Sequence, residues 1–356
     1  MKTNKPTKKK NTKANSLNLF SEIQVMIDET RVGVAKTVNA GLTILYWRVG
    51  KRVNEEILRQ NRAEYGEKIL PTLSAKLVNE YGRGWSERNL AYMIRFAEVF
   101  TDQRILHTLC AKLSWSHFRQ IIYLDNPLKR DFYAEMCRVE GWSTRTLHKK
   151  IDSMLYERTA ISKKPEEVIK SEIAALREQD FLTPDLVFRD PYVLDFLGVK
   201  DRYLEKDFED AILREIELFL LELGTGFAFL ARQKRIQIDN EDFYIDLLFF
   251  HRKLKRLIAI ELKLGDFKAE YKGQMELYLR YLNKYERQTE EEAPLGIILC
   301  SGKKEERIEL LELDKSNIHV AEYLTVLPSY DMLKQKLKDA IHLSRKRLGQ
   351  KPSSLS

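Results

Sequence analysis

Asp246 lies in the apolar run Phe243-Tyr244-Ile245-Asp246-Leu247-Leu248-Phe249-Phe250. Glu261 and Lys263 lie in a second run, Leu257-Ile258-Ala259-Ile260-Glu261-Leu262-Lys263-Leu264. Charged side chains are almost never fully buried unless they are paired or bound to a metal. An Asp, a Glu and a Lys placed in two neighbouring apolar runs therefore point to chemistry. Two carboxylates offer the hard oxygen ligands that Mg²⁺ prefers. On a strand, Lys263 projects from the same face as Glu261, two residues before it. There it can orient an attacking water or offset the charge that develops on a phosphate. The set suits metal-dependent hydrolysis of a phosphodiester, with Asp246 and Glu261 as the expected ligands of Mg²⁺ or of Mn²⁺ in its place.

The elements that must position these residues are legible around them. Both runs read as short buried strands joined by the basic turn Arg252-Lys253-Leu254-Lys255-Arg256. A further strand is expected at about 227–238, others at Leu295–Cys300 and near His319–Tyr323. Helices are expected over Glu205–Leu223, Lys268–Tyr285 and Tyr330–Leu348. This order describes an α/β core with a central mixed sheet covered by helices. On the first of these helices Ile212, Leu213, Ile216, Phe219, Leu220 and Leu223 form one apolar stripe. Glu209 falls within the stripe and Glu217 on its flank, so Glu209 is the favoured fourth member and Glu217 the alternative. Gln274 and Tyr278 share a helical face, from which Gln274 can reach a phosphate or the lysine. Arg232 and Gln233, on the strand before Asp246, are expected to contact nucleic acid.

The first half has a different character. Residues 17–157 read as all-helical: apolar residues recur at helical spacing through 42–57, and again from Glu67 to Tyr81 before Gly82-Arg83-Gly84 breaks the pattern. Gly84-Trp85-Ser86-Glu87-Arg88-Asn89-Leu90 is echoed by Gly141-Trp142-Ser143-Thr144-Arg145-Thr146-Leu147. Ser86 and Ser143 stand where helix N-caps belong, with Trp and Leu at hydrophobic-staple spacing. Trp115-Ser116 reads as the start of a third such helix. Capping explains the Trp, Ser and Leu but leaves Arg88 and Arg145 free to meet a nucleic-acid backbone, as in a helix-turn-helix. Residues 1–16, rich in Lys, Asn and Thr, read as a disordered basic tail. The charged, proline-containing stretch 158–180 reads as a linker, and 181–350 as the second domain.

The 356-residue chain carries a formal net charge of +8. The excess lies in the lysine-rich tail and in residues 16–160, where 22 basic side chains face 17 acidic ones. That distribution suits a partner with a phosphate backbone. No apolar run approaches the roughly 20 residues that span a bilayer. Three isolated cysteines without C-x-x-C spacing argue for a reducing, cytoplasmic compartment and against a structural zinc site. No phosphate-binding loop or dinucleotide-binding glycine pattern is present.

The constellation resembles the PD-(D/E)xK nuclease superfamily, and at finer grain the YhcG-like family of bacterial nucleases. The resemblance rests on Ile245 to His251, on Ile260-Glu261-Leu262-Lys263, and on Phe219-Leu220-Leu221-Glu222-Leu223-Gly224 with Gly226-Phe227. In the helical half it rests on Arg48-Val49-Gly50-Lys51 and Leu113-Ser114-Trp115-Ser116-His117-Phe118. Ile245 stands where the superfamily motif has proline, a variable position. The resemblance implies an α+β protein: an all-helical N-terminal domain followed by an α/β restriction-endonuclease-like domain. It implies an endonuclease whose substrate is DNA, with RNA as the alternative, and whose catalytic residues are Glu209, Asp246, Glu261, Lys263 and Gln274. A homodimer would suit the cutting of two strands. The competing reading is a catalytically silent nucleic-acid-binding or adaptor protein on a nuclease fold.

Overall fold

Apolar residues at helical spacing dominate the first half, and strand-length apolar runs the second; the computed structural model follows that division. It describes residues 11–59, 63–163, 166–180, 182–197, 205–304, 308, 310–329, 331–333, 335, 336 and 338. The chain divides into two compact units at Leu147/His148. Among the described residues no helix is long and apolar enough to cross a membrane.

The first unit is built from α1 (Asn11–Arg59), α2 (Ala63–Tyr81), α3 (Glu87–Val99), α4 (Gln103–Cys110), α5 (Trp115–Ile121), α6 (Pro127–Glu140) and the start of α7 (Thr144–Asp152). Residues 11–16, expected in a disordered tail, form the first turns of α1, and 1–10 lie outside the described residues. The unit is held where α1 crosses α3. A Cβ built on Gly50 would stand 1.8 Å from the Met93 carbonyl oxygen, so the two backbones touch and only glycine fits. Trp47 anchors the same crossing by donating its indole N–H to the Phe100 carbonyl at 2.7 Å. Phe96, Phe100 and Phe118 pack edge to face or tilted beneath it, with ring centroids 4.6–5.4 Å apart.

The repeated Gly-Trp-Ser segments do not behave alike. Trp142 and Leu147 are buried, and Ser143 Oγ accepts from the Thr146 amide at 3.1 Å. Gly141 closes α6 in the left-handed conformation, φ 66°. Ser86 occupies the cap position of α3 without a side-chain bond, and Trp85 belongs to a 3₁₀ turn, half-buried against Tyr46 and Tyr81. In the third copy the cap is Ser114, not Ser116: Ser114 and His117 form a reciprocal capping box that starts α5 at Trp115. His117 also meets the Trp142 carbonyl at 3.0 Å.

The second unit contains α8 (Leu155–Lys163), α9 (Glu166–Gln179), α10 (Pro184–Val187), β1 (Tyr192–Val193), α11 (Glu205–Arg214), α12 (Ile216–Leu223), β2 (Phe227–Ile238), β3 (Glu241–His251), β4 (Arg256–Asp266), α13 (Glu270–Tyr281), β5 (Leu295–Gly302) and β6 (Ile318–Leu324). Within the stretch read as a linker, residues 158–163 and Glu166–Gln179 are helical, with 164 and 165 outside the described residues. Arg158 within it is fully buried and ion-paired to Glu222, which also accepts from the Val193 amide at 2.8 Å. The expected helix Glu205–Leu223 is two helices, broken at Glu215 (φ −111°, ψ 31°). Of the final helix, residues 331–333, 335, 336 and 338 are described and are helical.

The six strands form one mixed sheet in the order β1-β6-β5-β4-β3-β2. β2, β3 and β4 are antiparallel neighbours; β4, β5, β6 and β1 run parallel. β4 is central and buried on both faces, which is why its sequence is a continuous apolar run rather than an alternation. Met275, Tyr278 and Leu279 of α13 cover one face, over Leu248, Ala259, Ile298 and Val320. On the other face Phe219 of α12 packs on Phe249 of β3, ring centroids 6.1 Å apart. Gly224 (φ 118°) and Gly226 (φ 97°) let the α12–β2 turn press against Arg189 and His251, where any Cβ would collide. All three cysteines are buried and unbridged, and burial pushes their thiols up to about 12, so none is a nucleophile at neutral pH.

Gly50→Ala should cost about 1–3 kcal/mol, the range for forcing a methyl into a filled contact. Thermal denaturation followed by circular dichroism measures it; a midpoint equal to wild type would show that α1 and α3 are not in backbone contact.

Candidate active site

The pairing of β3 with β4 runs from His251–Arg256 to Leu247–Ile260 and stops one residue short of Asp246 and Glu261. There β4 continues alongside β5, while β3 pairs only with β2. The parting leaves backbone amides without ladder partners, and a buried amide must find an acceptor. The two carboxylates supply it. The Asp246 amide donates to Glu261 Oε1 at 3.3 Å, and the Leu262 amide donates to Asp246 Oδ2 at 2.9 Å. The acidic side chains are thus built into the fork of the sheet, side by side, with Glu261 buried and Asp246 half-buried.

Lys263 follows on the same face of β4. Its ammonium lies 3.3 Å from Glu261 Oε2 and 5.3 Å from the centroid of the Tyr271 ring on α13. The register that pairs Glu261 with Ile298 and Lys263 with Cys300 puts both charged residues on the face covered by α13. Tyr271, Gln274 and Tyr278 are three and seven residues apart on that helix, so they form one row above the carboxylates. Gln274 donates its amide to the Tyr278 hydroxyl at 2.7 Å. Burial raises the Tyr278 hydroxyl above its ordinary value, and the charges of Glu261 and Asp246 add to this, so it stays protonated. Tyr271 went unread in the sequence; the signal was available, since it precedes Gln274 by one helical turn.

Glu209 reaches the fork from α11, and Glu217 is exposed on α12, away from these contacts. Gln233 is the bridge: its side-chain amide donates to Glu209 Oε2 at 2.8 Å and to Asp246 Oδ1 at 3.0 Å. Its backbone is left-handed, φ 45°, uncommon for a residue other than glycine and found where the surroundings enforce it. Arg232 donates to Glu209 Oε1 at 2.9 Å and to Asp210 at 2.5 Å. Arg232 and Gln233, expected to meet nucleic acid, are turned instead onto the protein's own carboxylates. Between the pairs Arg232–Leu247 and Lys234–Ile245 of the β2–β3 ladder, Gln233 falls opposite Asp246, a pairing that the sequence of β2 alone does not show. Arg88 and Arg145 lie in the other unit, both exposed. Arg88 is bonded through Nε to the Tyr92 hydroxyl at 2.7 Å, and Arg145 forms no ion pair among the described residues.

Electrostatically the fork is short of positive charge. Desolvation raises the Glu261 carboxyl to about 8, and the neighbouring Asp246 adds to the rise against the pull of Lys263. Burial likewise raises Glu209, with Asp246 contributing in the same sense while Gln233 and Arg232 oppose it. Among the described residues no three His, Cys, Asp or Glu side chains group closely enough to hold an ion. The chain's own contribution is therefore the pair Asp246 and Glu261, with Glu209 held back by the Gln233 amide. That donor set fits a hard divalent cation: all-oxygen, mutually repelling when ionised, and partly desolvated.

Because folding raises the Glu261 pKa, the folded state binds more protons than the unfolded state between the ordinary carboxylate range and pH 8. Stability is lost as pH rises through that window. Without added metal, Glu261→Gln should match wild type near pH 4 and melt above it by a margin that grows toward pH 8. A margin independent of pH in denaturation scans would refute the raised pKa.

Comparison with known proteins agrees with this geometry. Residues 22–158 match the DUF1016 N-terminal domain, and residues 185–340 match the YhcG PDDEXK nuclease domain. The protein named "Putative nuclease YhcG" of Escherichia coli (strain K12) is 34% identical over 308 residues, 78% of this chain and 81% of that protein. Among solved structures, a repair endonuclease from Pyrococcus abyssi and an EndoMS–dsDNA2 complex each share 18% identity. Each overlap covers 37% of this chain and 50% of the other, with TM-scores of 0.24 and 0.26. At those scores the structural overlaps carry no weight for function. The two domain matches in series and the identity along most of both chains place this protein in the YhcG family, with a restriction-endonuclease-like PD-(D/E)xK domain at its C-terminal end.

Proposed function

We propose that this protein is a metal-dependent endonuclease acting on DNA, with the sheet fork of the second unit as its active centre and the helical unit as its nucleic-acid-binding part. One observation carries the reading: Asp246 and Glu261 are fixed side by side by each other's strands, with the Lys263 ammonium against one of them. A purely structural role would not need two repelling carboxylates and a lysine in one desolvated fork.

Asp246 and Glu261 would hold Mg²⁺, with Mn²⁺ as a substitute; the bound ion supplies Lewis-acid stabilisation to the phosphoryl oxygens. The remaining work falls to the chain. Lys263, held by Glu261 and the Tyr271 ring, presents a cation to the oxygen on which charge develops. Tyr278, buried and kept protonated, accepts the Gln274 amide and so fixes that side chain above the fork. Glu209 and Gln233 fix the Asp246 carboxylate in one orientation, and Arg232 in turn holds Glu209. The basic excess of the first half and the exposed Arg88 and Arg145 support phosphate contacts there.

Asp246→Asn and Lys263→Ala should each reduce Mg²⁺-dependent cleavage by about a hundredfold or more, with DNA affinity little changed; Asp246→Asn also lowers the melting temperature, because both Asp246 oxygens accept hydrogen bonds and Asn keeps only one acceptor. Asn keeps the shape of Asp without its charge, and Ala removes the cation. The assay is purified protein on plasmid, duplex, branched DNA and RNA, with Mg²⁺ or with EDTA. Wild-type rates in either variant would move the active centre elsewhere. DNA binding without cleavage of any substrate would favour the adaptor reading.

A further inference from the structure

In the first unit, two arginines on different helices converge on one tyrosine. Arg88 of α3 donates Nε–H to the Tyr92 hydroxyl at 2.7 Å, and its guanidinium carbon lies 5.6 Å from the Tyr92 ring centroid. Arg119 of α5 lies over the same ring, 4.7 Å from the centroid. Tyr123 meets Tyr92 edge to face, centroids 5.6 Å apart and planes at 79°, and is 55% exposed. Arg88 and Arg119 are exposed and form no ion pair among the described residues. The other arginines nearby in the chain are engaged: Arg95, further along α3, pairs with Glu98 at 3.4 Å, and Arg130 of α6 spends its donors on the Leu124 and Asp125 carbonyls.

Like-charged guanidiniums crowded on one half-buried ring repel one another, and among the described residues no carboxylate pairs with either. An anion between them would relieve that repulsion and take the charge-assisted bonds of both forks. The cation–π contacts and the Arg88–Tyr92 bond hold the forks in fixed directions, so little order remains to be imposed on binding. Beside the forks, Tyr123 shows water a flat apolar ring with its edge pinned by Tyr92. An anion site next to an open aromatic face is the pairing that recognises a nucleotide with an unstacked base. In a duplex the base faces are covered by their neighbours and closed to Tyr123.

We infer that Arg88, Arg119 and Tyr123 form a binding site for single-stranded DNA, the arginines on a phosphate and Tyr123 stacked on the adjoining base. The inference rests on the nucleic-acid-binding role proposed above for the helical unit and adds to it the strand state and the contacting residues. It places the unpaired portion of a substrate, such as a flap, gap or frayed end, on the first unit. Arg145, on α7, joins no such cluster.

The test uses the full chain carrying Asp246→Asn, in EDTA, so that cleavage plays no part. Fluorescence anisotropy with a labelled oligothymidylate of about 20 nucleotides is compared with a blunt duplex of equal length. Tyr123→Ala should weaken single-strand binding about tenfold and Tyr123→Phe should restore it, because both aromatic rings stack. Duplex binding should change by less than about twofold in either variant. Arg88→Ala with Arg119→Ala should weaken single-strand binding and flatten its salt dependence, because fewer counterions are released when fewer phosphates are neutralised. Matched melting curves keep these effects apart from misfolding. Single-strand affinity unchanged in Tyr123→Ala, or an equal loss on duplex, would overturn the site while leaving the general nucleic-acid reading in place. Wild-type failure to bind either probe would overturn both.

Discussion

The carboxylate fork depends on the point where β3 parts from β4. A sheet that divides must satisfy the amides it exposes, and here the side chains of Asp246 and Glu261 do so for the residues across the fork. The same bonds that close the fold aim the carboxylates. Positioning is thus carried by strands rather than by a loop, which limits how far either oxygen set can wander. It also sets the electrostatic state: two carboxyl groups are brought together under α13, and burial, with its neighbour Asp246, pushes Glu261 up to about 8, so it resists ionising. A folded site in that condition favours any group that supplies positive charge, and Lys263 alone does not balance it.

Around the fork, several residues act by holding others. Gln233 links Glu209 to Asp246 from a strained left-handed backbone, Arg232 fastens Glu209, and Tyr278 fixes Gln274. Further away, Glu222 accepts from the Val193 amide and takes the charge of Arg158, while Gly224 and Gly226 allow the turn above them to close. These motif positions serve the scaffold. They act through close approach and buried charge.

The helical unit obeys a simpler constraint. Gly50 lets α1 lie on α3, the phenylalanines fill the space beneath, and the polar ends of helices are closed by caps such as Asp102, Ser114 and Asn126. With the core satisfied in this way, the arginines of α3 and α5 are left to the surface.

The local patterns were enough to determine the order of elements in the second half. β2 spans the expected 227–238, and the strands at 243–250, 257–264, 295–300 and 319–323 each appear within a few residues. Their apolar runs are long, and each is flanked by turn residues. The sequence also identified Asp246, Glu261 and Lys263, because a buried strand tolerates charge only for a reason. Other features depended on how distant segments meet. Glu215 breaks the helix that carries Glu209, although the apolar stripe runs on through the break. The described residues of 158–179 are helical, and Arg158 is buried because Glu222, 64 residues away, receives its charge. Gln233 meets Asp246 because the β2–β3 register sets them opposite one another, and Glu209 arrives from α11 to receive both Gln233 and Arg232, which no alternation of residue types reveals. Ser114 rather than Ser116 caps α5, because His117 completes the box. Periodicity records which side of an element is apolar; which polar group meets which is decided only when the strands and helices come together.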